Sequence, residues 1–199
     1  MRSERRKNQI AREEILDLGV YERSRDNIRA RAMTARGVRR IDVGPNATLA
    51  FENHETVRYQ IHEMLRAERI AKDADVQHEV ETYSDLLPSS DELSGTLMFE
   101  FPDADARAMH LSDLIGFENH FRLEFDSAGV SKAFFDRRQI DSDRISAVQF
   151  VRFPITEMQR KALMRGARIV ADHPRYSFSI QLPETLRRAL AADLEAADV

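Results

Sequence analysis

The sequence predicts an α+β protein: N-terminal helices and a long central helix packed on a mainly antiparallel sheet, ferredoxin-like in broad outline. Three observations carry this expectation. The run FENHETVRYQIHEMLRAERI, Phe51 to Ile70, keeps a helical period throughout. Beyond residue 95 short stretches such as FRLEF (Phe121–Phe125) and ISAVQFVRF (Ile145–Phe153) alternate at period two. Two strand–helix–strand units joined by a hairpin then follow one another.

In chain order, Ile10–Leu18 and Tyr21–Arg36 read as two Arg-rich helical pieces, with Gly19 between them and Gly37 closing the second. Ile15, Leu18, Ile28 and Met33 are too few for an independent core, so residues 1–40 form a basic arm that should dock on the body or on a second copy, which makes a homodimer plausible. Ile41 and Val43, the turn Gly44–Asn46 and the extended Thr48–Phe51 form a hairpin leading into the long helix. Asn53 suits the N-cap, and Glu55 and Thr56 the first turn, so the helix starts near His54. Val76–Leu87 is a shorter helix, broken by Pro88–Asp91; residues 41–199 make one domain with a soft boundary near 88–94. Strands are expected at Thr96–Phe101, Phe121–Phe125, Ser131–Phe135, Ile145–Phe153, Arg168–Ala171 and Tyr176–Leu182. Helices are expected at Pro102–Ile115, at Thr156–Ala167 and after Pro183.

With 199 residues and 42% hydrophobic content the chain can bury a sizeable core. It has no cysteine, which excludes disulfides, thiolate metal sites, cysteine nucleophiles and cysteine-ligated clusters. No run approaches a membrane span and the first residues do not suit secretion, so the cytoplasm is the expected address. Residues 1–40 hold twelve Lys or Arg against six Asp or Glu, leaving the remainder at −10 to reach the net −4. Such an arm could touch nucleic acid, but its interleaved acids and lack of a recognition motif favour an acidic protein surface.

The long helix is the richest source of candidate site residues. Turning about 100° per residue, Val57, Ile61, Met64, Leu65 and Ala71 gather on the side that should face a core. Glu68 falls within that arc, where a carboxylate must be paired, hydrogen-bonded or neutral. It reads either as one half of a structural ion pair or as a site carboxylate that binds metal or accepts a proton. Opposite lie Glu55, Tyr59, His62, Glu63 and Arg66, with Gln60 at the boundary, and Glu52 and Asn53 sit at the strand-to-helix junction.

Known chemical templates mostly fail. HEMLR puts Arg66 where a zinc peptidase needs its second histidine, and no Glu is followed by His three residues later, as di-iron bundles require. No phosphate-binding glycine loop or serine elbow occurs. The tetrapeptide FENH appears at Phe51 and at Phe117, but the flanks do not match. His173, in the loop ADHPRY, could join Glu52, Glu63 or Glu68 in a thiolate-free metal site if the fold brought them together.

The run from Phe51 to Ile70, preceded by VGPNATLAFEN and followed by AVQFVRF and DHPRY, resembles an uncharacterised bacterial family known as domain of unknown function 3501, over roughly Leu16 to Leu194. Phe51, Glu52, Asn53, Thr56, Tyr59, Gln60, Ile61, Glu63, Met64, Arg66 and Glu68 fall on its motif, whereas His54 and His62 occupy positions that are commonly Arg and Gln. The resemblance implies an accessory role in oxidative stress or electron transfer, because genes of the family often lie beside those for rubrerythrin-like and iron–sulfur proteins. Without cysteines here, any cluster would belong to the partner.

The first expectation is therefore a cytoplasmic accessory protein that binds a redox or iron–sulfur partner through Glu52, Asn53, Tyr59, Gln60, Glu63, Arg66, Glu68 and His173. The alternative is a metal-binding protein or enzyme with a Glu/His site. No catalytic residue, metal or cofactor is assigned.

Overall fold

Nine strands and six α-helices are found among the described residues of the computed structural model, 9–139 and 143–197. The class is mixed α+β, as expected. The strands, however, divide into two antiparallel sheets rather than the single sheet of a ferredoxin-like outline. Sheet 1 has the order β1-β2-β3-β7-β6 and sheet 2 the order β5-β4-β8-β9. Sheet 1 consists of β1 (Arg40–Asp42), β2 (Ala47–Phe51), β3 (Glu92–Phe99), β6 (Phe134–Phe135) and β7 (Val148–Pro154). Sheet 2 consists of β4 (Phe121–Phe125), β5 (Gly129–Lys132), β8 (Ala167–His173) and β9 (Tyr176–Gln181).

Period-two alternation explains how the sheets share one core. Leu49 and Phe51 of β2, Leu93 and Leu97 of β3, and Val151 and Phe153 of β7 point inward with Phe121, Leu123 and Ile169 of sheet 2, in one continuous apolar cluster. The chain crosses between the sheets at buried Ala133, the one residue separating β5 from β6, whose N–H donates to Phe121 O at 3.0 Å. At the opposite seam the Tyr176 hydroxyl donates to Val43 O at 2.6 Å and accepts from Asn46 N at 3.2 Å. Gly44 allows this approach: its φ is +80°, and a Cβ there would lie 2.6 Å from the Phe178 ring. Leu186, Leu190 and Leu194 of α6 (Glu184–Ala196) close the core on a four-residue spacing.

The remaining helices are α1 (Leu18–Gly37), α2 (His54–Glu68), α3 (Asp73–Ser84), α4 (Ala104–Asp113) and α5 (Glu157–Leu163). Gly19 lies inside the first turn of α1, so the two expected N-terminal pieces are a three-residue turn, Arg12–Glu14, followed by one long helix. Ile10 and Ile15 pack on Val57, Ile61 and Leu65 of α2 and on Val76 and Val80 of α3, making a second, smaller apolar cluster. From Ile10 onward the arm thus docks on its own chain; residues 1–8 lie outside the described residues.

Candidate functional site

The site grows from the end of β2. Asn53 leaves the strand extended and caps α2: its Oδ1 accepts Thr56 N–H at 3.0 Å, while Thr56 Oγ1 accepts Asn53 N–H at 2.9 Å. That turn fixes Glu52 under the first turn of the helix, 3% exposed. Its Oε2 accepts the Thr56 hydroxyl at 2.6 Å; its Oε1 accepts the Thr96 hydroxyl of β3 at 2.8 Å and the Gln60 amide at 3.2 Å. Glu52 is therefore a buried carboxylate solvated by three neutral donors, which tie the first and second turns of α2 to sheet 1. A cavity of about 20 Å³ beside it, lined in part by Asp85, Ser94, Phe150 and Arg152, has room for one water molecule.

Beyond Gln60 the helix turns toward α1 instead of solvent. Tyr21, fully buried on α1, donates its hydroxyl to Glu63 Oε1 at 2.6 Å, and Arg25 grips both Glu63 oxygens at 2.8 and 2.7 Å. The Arg25 guanidinium, helped by the Tyr21 hydroxyl, pulls the Glu63 carboxyl down to about 2. Burial, together with the hydrogen bond to Glu63, pushes the Tyr21 phenol up. Arg66 Nε pairs with Glu22 at 2.6 Å, and Glu55 takes both Arg58 and Arg31. Tyr59 is 8% exposed and His62 2%.

The eight residues offered by the sequence thus separate. Glu52, Asn53 and Gln60 belong to one hydrogen-bonded junction, and Glu63 and Arg66 face the arm; Tyr59 is buried in the same helix. Glu68 is the last residue of α2 and is exposed, so its expected place on a buried face is corrected: Arg69 turns left-handed (φ 55°) and the helix stops before that arc is covered. His173 is held elsewhere, at the end of β8. Its Nδ1 accepts Arg175 N–H at 3.3 Å, its Nε2 lies 3.2 Å from Ile115 O, and its ring packs against Phe117 and His120. No group of three His, Asp or Glu suited to a metal occurs among the described residues, so His173 and the α2 carboxylates do not form the conjectured cluster.

Two features escaped the sequence reading. Asp193 of α6 receives a two-pronged ion pair from Arg39 and a 3.4 Å contact from Asn53 Nδ2. The other is an apolar strip on the outer face of sheet 1, where Met98 stands opposite Val148 and Thr96 opposite Phe150, with Phe134 next to Arg152. Phe134 is 63% exposed and Val148 41%. A shallow depression of about 400 Å³ lies at the Val148 end of the sheet, lined by Phe99, Glu100, Phe101, Pro102, Arg107 and Ala147. Alternation at period two hints at such a face, but does not say that the helical layer covers it only at the Thr96 end.

Fold and junction together define a two-sheet α+β protein in which a buried carboxylate locks the central helix to sheet 1. Residues 9–194 match the profile of the protein family of unknown function DUF3501, and the chain belongs to that family. A crystal structure of a novel protein of unknown function from Burkholderia pseudomallei K96243 is similar, with a TM-score of 0.87, 29% identity, and coverage of 93% of this chain and 98% of that one. None of the functionally curated proteins matches the chain. No described helix is long and apolar enough to cross a membrane.

Proposed function

We propose that this protein is a cytoplasmic accessory protein that docks a redox partner of the rubrerythrin-like or iron–sulfur class on the outer face of sheet 1. The observation that carries the reading is the exposed strip of Phe134 and Val148, flanked by Met98 and Phe150 and running up to the Glu52 cavity. Exposed aromatic and aliphatic side chains in register on one face are the usual material of a protein interface. The lack of cysteine assigns any cluster to the partner. Glu63 and Arg66 are already engaged by α1, which favours the strip over the polar side of α2 as the contact surface.

Calorimetric titration with a purified rubrerythrin-like protein and with an iron–sulfur oxidoreductase tests this. Saturable binding to one of them, weakened by about tenfold or more in Phe134→Asp and Val148→Asp variants with unchanged circular dichroism, is expected. Binding to neither, or binding indifferent to both substitutions, overturns the proposal.

A further inference from the structure

His62 sits between the arm and the body, and its two ring nitrogens have different tasks. Nδ1 lies 2.9 Å from Arg58 O, one turn earlier on α2, so Nδ1 carries the proton and donates it. Nε2 is then an acceptor, and at 3.0 Å it takes the backbone N–H of Leu16, in the segment leading into α1. The ring stacks on Tyr21, centroids 4.6 Å apart and planes 17° from parallel. One neutral tautomer satisfies every group. A second proton, on Nε2, would set N–H against N–H and place a charge where water does not reach.

We propose that His62 is a pH-controlled latch for the N-terminal arm: the neutral ring holds Leu16 and Tyr21 against α2, and protonation releases them.

The surrounding carboxylates are engaged elsewhere and compensate a charged ring only in part. On α2, Glu55 Oε2 is occupied by Arg58 and Arg31 while its buried Oε1 has no hydrogen-bond partner, and Glu63 is held by Arg25 and Tyr21. Before α1, Glu14 pairs with His54, and Arg12 reaches Asp73 of α3. Among the described residues no carboxylate hydrogen-bonds the His62 ring to welcome a cation. Burial, the largest influence, pushes the imidazole below its ordinary value and the Arg58 guanidinium adds to this, against the weaker opposite pull of the hydrogen bond to Arg58 O and of the Glu63 and Glu55 carboxylates. The released arm leaves His62 to titrate at an ordinary value near 6.5, so it binds the proton first. Docking is therefore complete above that pH and weakens as pH falls through it. Release also strips Ile10 and Ile15 from Val57, Ile61 and Leu65, uncovering an apolar groove between α2 and α3 whose resident ligand is this chain's own arm.

Hydrogen exchange on the full chain tests the latch, with rates corrected for the intrinsic effect of pH. Between about pH 7.5 and about pH 5.5, protection of amides in residues 10–37 should fall by about tenfold or more while that of β3 and β7 holds. His62→Gln, whose neutral amide offers one donor and one acceptor in place of the two ring nitrogens, should keep the arm protected at both values. Unchanged arm protection in the wild type at the lower pH overturns the proposal, whether or not the variant folds. So does a His62→Gln protein whose arm opens with the wild-type pH dependence.

Discussion

Arg39 and Asp193 are separated by 154 residues and meet in a two-pronged ion pair, Nε to Oδ2 at 2.7 Å and Nη2 to Oδ1 at 2.8 Å, with only 11% and 10% of their side chains exposed. Arg39 also donates to Ala35 O, in the last turns of α1, so the pair fastens arm, hairpin and final helix at one point. A buried pair of this kind contributes little net energy when intact but a large penalty when halved.

Asp193→Ala should accordingly lower unfolding free energy by about 3–5 kcal/mol, because it strands a buried guanidinium. Replacing both partners, as in Arg39→Met with Asp193→Leu, should recover most of that loss. Urea denaturation of the wild type and the two variants measures the difference.

The neutral donors around Glu52 predict an unusual ranking. Glu52→Gln can still accept from Thr96 and Gln60, and Thr56 can turn its hydroxyl to Asn53 O, 3.1 Å away, so the cost should be about 1 kcal/mol. Glu52→Leu leaves the donors of Thr96 and Gln60 without an acceptor and should cost about 3 kcal/mol or more. Equal destabilisation of the two variants in chemical unfolding would contradict this account.

Glu63 contributes to the acid limb of stability, alongside Glu124, Asp136, Asp172 and Glu184, whose carboxyls arginines also hold down. Its folded value of about 2, held down first by Arg25, lies below the unfolded value near 4.3. The stabilisation is thus fully present above about pH 4.3 and is lost as pH falls toward 2. Glu63→Gln should make the fall of the urea midpoint across that interval shallower while lowering the midpoint at neutral pH.

At the sheet seam, Gly44→Ala forces a left-handed residue to carry a Cβ against Phe178. A loss of about 1–3 kcal/mol is expected from the backbone alone, read as a lower melting temperature.

Much of this architecture was legible in the sequence where a local rule operates. Asn53 and Thr56 marked the start of α2 because capping is a contact between near neighbours, and FRLEF alternated because one face of β4 is buried. Glu68 was misplaced because helical phase says which side a residue is on, not where the helix ends. Tyr59 and His62 looked solvated because α1 is a second packing partner, and a polar face that is hydrogen-bonded to another helix has the same composition as a wet one. Arg39 and Asp193 carry no local signature at all, and the division into two sheets turns on Ala133, a residue with no distinctive turn chemistry.

The strand order has a consequence for how the chain is made. β3 pairs with β7, and Glu92 meets Arg152 across 60 residues, whereas α2 and α3 are sequence neighbours. Contacts so distant close slowly, since the intervening chain must first be brought round. On the ribosome α1 to α3 emerge early, and the inner faces of β2 and β3 stay incompletely covered until β4, β7 and β8 follow. During that interval Leu49, Phe51, Leu93 and Leu97 form the adhesive stretch that a holding chaperone would meet first.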